Sequence, residues 1–272
     1  MTDDKSNTNS FSIDRQYKNC SRVFDKNPLP FLPQMLCKKT TLEREAVHLW
    51  RIHYRAINTD HTLQLFRQLS TEEQLRAERY HFVDDQQRFI IRHGLLRILL
   101  GNYLNGEPSE LEIQQNENGK PFLTETTENE VIQFSLSHSK EIILYAFGRR
   151  RRIGVDIEFI QPMTDMDAVV GAYFSESEKE EYKNLPQEQR LESFYHCWTK
   201  KEAFLKALGK GLSLGLDTFT VPLKPGAPTE LQRDAWNVQE AGQWVLKSID
   251  SIPGYAAAVA VEGCNWTLVE ID

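Results

Sequence analysis

The 272-residue chain lacks most of the features that assign a sequence quickly. Its four cysteines, at 20, 37, 197 and 264, form no Cys-x-x-Cys pair and no zinc-finger spacing with histidine, so free thiols in a reducing compartment are expected. No apolar run approaches the roughly 20 residues that a membrane helix needs. The first 30 residues carry many charges and no apolar core of a secretory signal. A cytoplasmic protein with no membrane partner is the expectation. Positive charge is also short: 32 Lys and Arg stand against 39 Asp and Glu, a formal net charge of −7. That argues against a nucleic-acid partner, although a local basic patch stays open. The G-x-x-x-x-G-K-[ST] phosphate loop is missing. So is the G-x-S-x-G elbow of the α/β-hydrolases. His48, His53, His61 and His81 fall at no metal-ligand spacing and read as structural or surface groups.

What the chain does have is a hydrophobic fraction of 40%, ample for a buried core, and a mixed order of helix-like and strand-like segments. Residues 1–40 are polar, broken by Pro28, Pro30 and Pro33, and read as a partly flexible extension. Residues 46–56 alternate as a strand. Ser70 and Glu73 form a Ser-x-x-Glu capping box that opens a helix over 70–80, and 84–104 is a second, strongly apolar helix. A turn at 118–123 is followed by an antiparallel pair, 131–139 and 141–148, joined at His138–Lys140, and by a strand over 151–160. Helices over about 175–183 and 190–208 come next, then strand-like stretches at 219–223, 244–249, 255–261 and 266–271. There is no regular βα alternation, so the class is α+β, with two similar halves, 41–154 and 155–272.

Two segments raise chemical questions. In "IGVDIE" the apolar Ile153, Val155 and Ile157 alternate with Gly154, Asp156 and Glu158. On a strand the two carboxylates project to one side. They repel unless a cation such as Mg²⁺ sits between them, or unless the face is simply solvated. In "WTKKEAFLKALGKGL" the residues Phe194, Cys197, Trp198, Leu205 and Leu208 form one apolar stripe, with Tyr195, Thr199, Glu202 and Lys206 on a flank. Glu202 and Lys206 read either as an ordinary helix ion pair at i,i+4 or as one wall of an active site. Lys201 falls inside the apolar stripe and is expected to snorkel past it. Gly209 is a helix stop, and Gly211 keeps the following loop open.

"SLSHS" puts Ser135, Ser137, His138 and Ser139 at a strand end. Without the elbow, a turn histidine that binds a ligand or the backbone is a better account than serine hydrolysis. Lys120 is fixed between Gly119 and Pro121, a better anchor than a free surface lysine. Arg76, Arg79, Arg88, Arg92 and Arg97 belong to the two early helices; most are expected to be solvated, and a guanidinium fork also suits phosphate.

The order Gly-Lys-Pro at 119–121, Ser-His-Ser at 137–139, I-G-V-D-I-E at 153–158, F-Y-H-C-W-T-K-K-E-A-F-L-K at 194–206 and G-K-G-L at 209–212 resembles the Sfp-type 4′-phosphopantetheinyl transferases. The resemblance runs from about residue 46 to the C-terminus. It implies two α+β halves arranged as a pseudo-dimer in one chain with the active site between them. It also implies transfer of the phosphopantetheine arm of coenzyme A to a serine of an apo acyl or peptidyl carrier protein, with release of 3′,5′-ADP. Asp156, Glu158 and Glu202 would hold Mg²⁺ on the coenzyme A pyrophosphate. Glu202 would also be a base for the carrier serine, with Glu178 a second possible base, and Lys206 would stabilise the pyrophosphate and leaving group. Ser137 and His138 would contact the coenzyme A phosphates, and Lys120, Arg76 and Arg88 the nucleotide end. Because both halves lie in one chain, a monomer is expected.

The chain departs from that pattern in places. Glu73 and Phe89 stand where some members of the family carry a phosphate-contacting lysine and threonine. The net charge of −7 requires a local basic or apolar patch for docking an acidic carrier. The alternatives are an Mg²⁺-dependent hydrolase of nucleotide pyrophosphates and a non-catalytic carrier-binding module.

Overall fold

A computed structural model describes residues 41–124, 131–211, 215–224, 229–231 and 244–272. The expected extension over 1–40, with Cys20 and Cys37, and Leu212 of the Gly-Lys-Gly-Leu run lie outside the described residues. Cys197 and Cys264 are free thiols, the first buried and the second exposed. The fold is α+β, and the chain forms two compact units.

One unit, Ile57–Glu110, is helical: α1 is Thr59–Arg67, α2 Thr71–Glu78 and α3 Val83–Leu104. The Ser70–Glu73 capping box opens α2 as its sequence requires, and α1, which the sequence did not announce, is opened by an equivalent box between Asn58 and His61. The Gln74 side chain donates to Phe66 O and Leu69 O, fastening the end of α1 to α2. A Cβ on Gly94 would come within 2.8 Å of Leu65 Cβ, so α1 and α3 touch at a point where only glycine fits.

The second unit takes the described parts of 40–56 and 111–272. Its strands are β1 (Ala46–His53), β2 (Ile113–Gln115), β3 (Pro121–Leu123), β4 (Ile132–Ser139), β5 (Ile142–Arg149), β6 (Ile153–Phe159), β7 (Thr229–Glu230), β8 (Trp244–Ser248), β9 (Tyr255–Glu262) and β10 (Thr267–Ile271). Its helices are α4 (Met166–Tyr173), α5 (Glu176–Asn184) and α6 (Gln187–Leu208). One four-stranded sheet runs β10-β1-β5-β4 and the other β6-β9-β8-β7. The C-terminal strand β10 pairs parallel with β1, Ala46 opposite Thr267, so the end of the chain closes onto the first sheet.

Strand period assigns the layers. Val155, Ile157, Ala257, Val259 and Val261 of the second sheet share an apolar core with Val47, Leu49, Leu144 and Ala146 of the first. The opposite face presents Ala256, Ala258, Ala260, Leu246 and Trp244 to Phe194, Phe204 and Leu205 of α6. Along that face Gly154, Asp156 and Glu158 stand opposite Ala260, Ala258 and Ala256. The row of small residues lets α6 lie almost on the backbone of β6. A Cβ on Gly154 would stand 2.0 Å from Ala203 O and 2.4 Å from Ala207 N, an impossible overlap.

The stretch 219–223, strand-like in sequence, makes an isolated bridge at Thr220 and no regular strand. Pro222 has no N–H to give, and the Val221 N–H is taken by Glu178 Oε1 at 2.7 Å. Lys201 does not snorkel. It is fully buried, 2.8 Å from Glu178 Oε2, and donates to Leu216 O at 2.7 Å and Phe219 O at 2.6 Å, with the Phe219 ring 4.4 Å away. A lysine inside an apolar stripe is tolerated when an equally buried carboxylate neutralises it and carbonyls take its remaining protons.

Candidate active site

The close packing of α6 on β6 brings a helix flank to a strand edge. Asp156, at 3% exposure, is no solvated strand residue. Its Oδ1 accepts from Lys206 Nζ at 2.6 Å and from Ser137 Oγ at 2.9 Å, and Lys206 also donates to Ser137 Oγ at 2.9 Å. Lys206 therefore reaches across to the strand, and the i,i+4 ion-pair account of Glu202 and Lys206 gives way to a wall of side chains shared by α6, β6 and β4. Among the described residues, none donates a hydrogen bond to the buried Asp156 Oδ2.

Two more carboxylates feel this centre. Burial raises the Glu158 carboxyl, and the Asp156 charge adds to the rise; a hydrogen bond from Ser139 and the Lys206 charge pull it back. Burial likewise raises Glu202, with Asp156 and Glu158 pushing the same way and Lys206 opposing. Tyr195, on the same helix flank, has its phenol raised by burial and by Glu158, and donates to Gln161 O at 3.1 Å. The cluster thus carries more negative charge than Lys206 neutralises.

The edge strands β4 and β6 are joined by serines. Val155 N donates to Ser135 Oγ at 3.1 Å, Ser137 Oγ donates to Asp156, and Ser139 Oγ accepts from Phe159 N and donates to Glu158 Oε2, both at 3.0 Å. Ser135 and Ser139 were not singled out as site residues from the sequence. The signal was present in the S-x-S-x-S spacing, since residues at i, i+2 and i+4 of a strand share a side. His138, one residue out of phase, is exposed.

Two candidates are engaged elsewhere. Glu178 is completely buried. It takes Ser175 N at 2.7 Å and Val221 N at 2.7 Å besides the Lys201 ion pair. Lys120 Nζ donates to Ile153 O at 3.1 Å and Ala207 O at 2.9 Å, and burial, helped by Arg152, lowers its pKa to about 8. Arg76 and Arg88 belong to the helical unit, where the Arg76 guanidinium lies 5.2 Å from the Phe89 ring centre. In that unit Glu73 holds His93 and Arg97. Burial alone would raise its carboxyl, but the hydrogen bonds and charges of these two partners prevail and bring it to about 2.

Among the described residues, no group of three His, Cys, Asp or Glu side chains is already drawn together as a metal cage. The donor set nevertheless fits a hard divalent cation. It offers carboxylate oxygens in negative excess and, in Asp156 Oδ2, a buried oxygen with no donor of its own.

Comparison with known proteins gives this site a family. Residues 152–260 match the 4′-phosphopantetheinyl transferase superfamily model, and residues 56–147 match the model of the 4′-phosphopantetheinyl transferase N-terminal domain. The two matches agree with a chain of two halves. The chain is 36% identical to the 4′-phosphopantetheinyl transferase HetI of Nostoc sp. over 83% of its length and 92% of the relative's. It is 27% identical to the 4′-phosphopantetheinyl transferase Sfp of Bacillus subtilis over 70% of its length and 81% of that protein's. It is 31% identical to the 4′-phosphopantetheinyl transferase psf-1 of Bacillus pumilus over 60% of its length and 68% of that protein's. On the strength of these matches, the chain belongs to the 4′-phosphopantetheinyl transferases, of the Sfp type.

Proposed function

We propose that this transferase binds coenzyme A with its pyrophosphate at the Asp156–Glu158–Glu202 cluster and passes the 4′-phosphopantetheine arm to a serine of an apo acyl or peptidyl carrier protein, releasing 3′,5′-ADP. The observation that carries the reading is the buried Asp156–Lys206–Ser137 contact, with Asp156 Oδ2 left without a donor beside two carboxyls of raised pKa. Asp156, Glu158 and Glu202 would hold Mg²⁺. When bound, the ion would neutralise the pyrophosphate and make it a better electrophile and leaving group.

The remaining steps fall to the chain's own residues. The serine oxygen attacks the pantetheine-side phosphorus, the new P–O bond forms, and the bond to 3′,5′-ADP breaks. The serine proton passes to a base, for which Glu202 is favoured by its place beside Asp156 and Glu158, whose charges act on it directly. Glu178 has its oxygens engaged by Lys201, Ser175 and Val221, which argues against the second base assignment. Lys206 would move its ammonium from Asp156 toward the charge that builds on the departing oxygen. Ser137 and His138 would contact the coenzyme A phosphates, and Arg76 and Arg88 the nucleotide end. Free Cys197 and Cys264 suit a reducing, cytoplasmic setting, and we take the working unit to be a monomer. No helix among the described residues is long and apolar enough to cross a membrane.

Intact-protein mass spectrometry of an apo carrier incubated with the chain, coenzyme A and Mg²⁺ tests the reading. A gain of one phosphopantetheine mass that EDTA removes is the expected result. Release of 3′,5′-ADP with no carrier modified would point instead to pyrophosphate hydrolysis.

A further inference from the structure

One cation near the site is held by the protein's own backbone. Lys120 Nζ bridges Ile153 O, at the start of β6, and Ala207 O, in the last turn of α6. These two carbonyls flank the place where strand and helix touch most closely, Gly154 against Ala203 and Ala207. They also lie next to the reactive side chains. Ile153 is three residues before Asp156, and Ala207 directly follows Lys206.

The turn that carries Lys120 is itself fastened to the same helix end. Asn116 Oδ1 accepts from Asn118 N at 3.0 Å and Lys120 N at 2.9 Å, which fixes the turn. Asn116 Nδ2 and Asn118 Nδ2 both donate to Gly209 O, at 2.8 Å and 3.0 Å. Gly209 has φ +67°, the left-handed conformation that ends a helix. The last carbonyls of a helix have no partner within it, and here residues about ninety positions earlier in the chain supply the donors. A positive charge at that end also complements the helix dipole.

Building on the transferase reading above, we infer that Lys120, with Asn116 and Asn118, is a positioning device that ties β6 to the end of α6 and so sets the contact of Lys206 with Asp156, and that it does so without touching the nucleotide. A lysine that bound the nucleotide would serve the bound state alone. A lysine that ties the two elements governs how far Lys206 stands from the charge it must meet, and its loss appears in turnover. Misplacement of a charged group by a fraction of an ångström is costly in such a site.

The test compares Lys120→Met, Lys120→Arg and Asn118→Ala with the parent protein, using coenzyme A and 3′-dephospho-coenzyme A and measuring kcat and KM on an apo carrier. The expected result for Lys120→Met is a fall in kcat of about tenfold, in line with the loss of a hydrogen-bonded charge, by the same factor for both substrates. Arg at 120, which can still donate to both carbonyls, should restore most of it. Asn118→Ala, which removes one of the two donors on Gly209 O, should lower kcat a few-fold with KM unchanged. A rise in KM confined to coenzyme A would overturn the inference and make Lys120 a nucleotide ligand. A lowered melting temperature with kcat unchanged in Asn118→Ala would reduce the turn to a structural cap and overturn it as well. If the parent protein transfers nothing, the underlying reading fails, and that result is distinct from either of these.

Discussion

Helix α6 carries two lysine–carboxylate pairs five residues apart along the chain, and they are built on opposite plans. Lys201 and Glu178 are both fully buried, and every partner they require is supplied: two carbonyls for the ammonium, two backbone N–H groups for the carboxylate. Lys206 and Asp156 are left incomplete. The lysine side chain is 33% exposed, Asp156 Oδ2 has no donor among the described residues, and Glu158 and Glu202 add two carboxyls that Lys206 must share with Asp156. A finished ion pair holds structure together, here the segment 216–221 against α5 and α6. An unfinished one stores an electrostatic demand that a ligand can meet. The comparison separates residues that look alike in sequence, since each pair is a lysine of α6 with an acid from elsewhere.

Removing one partner from the closed pair should have the largest effect. Glu178→Ala leaves a buried ammonium unpaired and should lower stability by about 3–5 kcal/mol in denaturant titration, while the double change Glu178→Leu with Lys201→Met recovers much of it. In the open pair, Asp156→Ala should leave the melting temperature near that of the parent yet cut transfer on the order of a thousandfold, with carrier binding retained. If transfer survives that change, the acid cluster is not where the chemistry occurs.

pH sharpens the contrast. Glu158 and Glu202 have folded-state pKa values raised above the ordinary carboxylate range. Their contribution to the stability of the metal-free protein is therefore present at low pH and lost as pH rises through those values. A divalent cation needs both groups ionised, so Mn²⁺ affinity, followed by calorimetry, should begin to fall at a higher pH than ordinary carboxylates would impose. Glu73 in the helical unit runs the other way. Held at about 2, well below the ordinary glutamate value, it contributes stability above its unfolded pKa that is lost as pH drops toward 2. The smallest effect is expected from Glu202→Gln, which removes a like charge from the cluster and should raise the stability of the metal-free protein by a few tenths of a kcal/mol, read as a slightly higher melting temperature while transfer is lost.

Much of this was legible in the sequence because the signals were local. The Ser70–Glu73 box, the β4–β5 hairpin, the alternation in 153–158 and the apolar stripe of α6 each depend on residues within one or two turns of each other. What could not be read was contact across long separations. Nothing near Lys201 in sequence announces that Glu178 neutralises it, and nothing in "NGKPF" shows that Lys120 will meet the carbonyls of residues 153 and 207. The parallel pairing of β10 with β1 is equally silent, because strand patterning fixes a face and not a neighbour. In sequence Gly154 stands only as one member of the alternation over 153–158. The structure gives the reason: β6 meets the backbone of α6 there, and that approach brings Asp156 and Lys206 together.

The most direct measurement of the central claim is intact-protein mass spectrometry of one apo carrier, incubated with coenzyme A and Mg²⁺ and, in parallel, with the parent protein, Asp156→Ala and Glu178→Leu/Lys201→Met. The account predicts full modification by the parent, loss of it with EDTA or Asp156→Ala, and retention of it in the double variant, whose closed pair has been replaced by apolar groups. Modification by Asp156→Ala at the parent's rate, or its loss in a double variant that is folded, would contradict the division between an open, reactive pair and a closed, structural one.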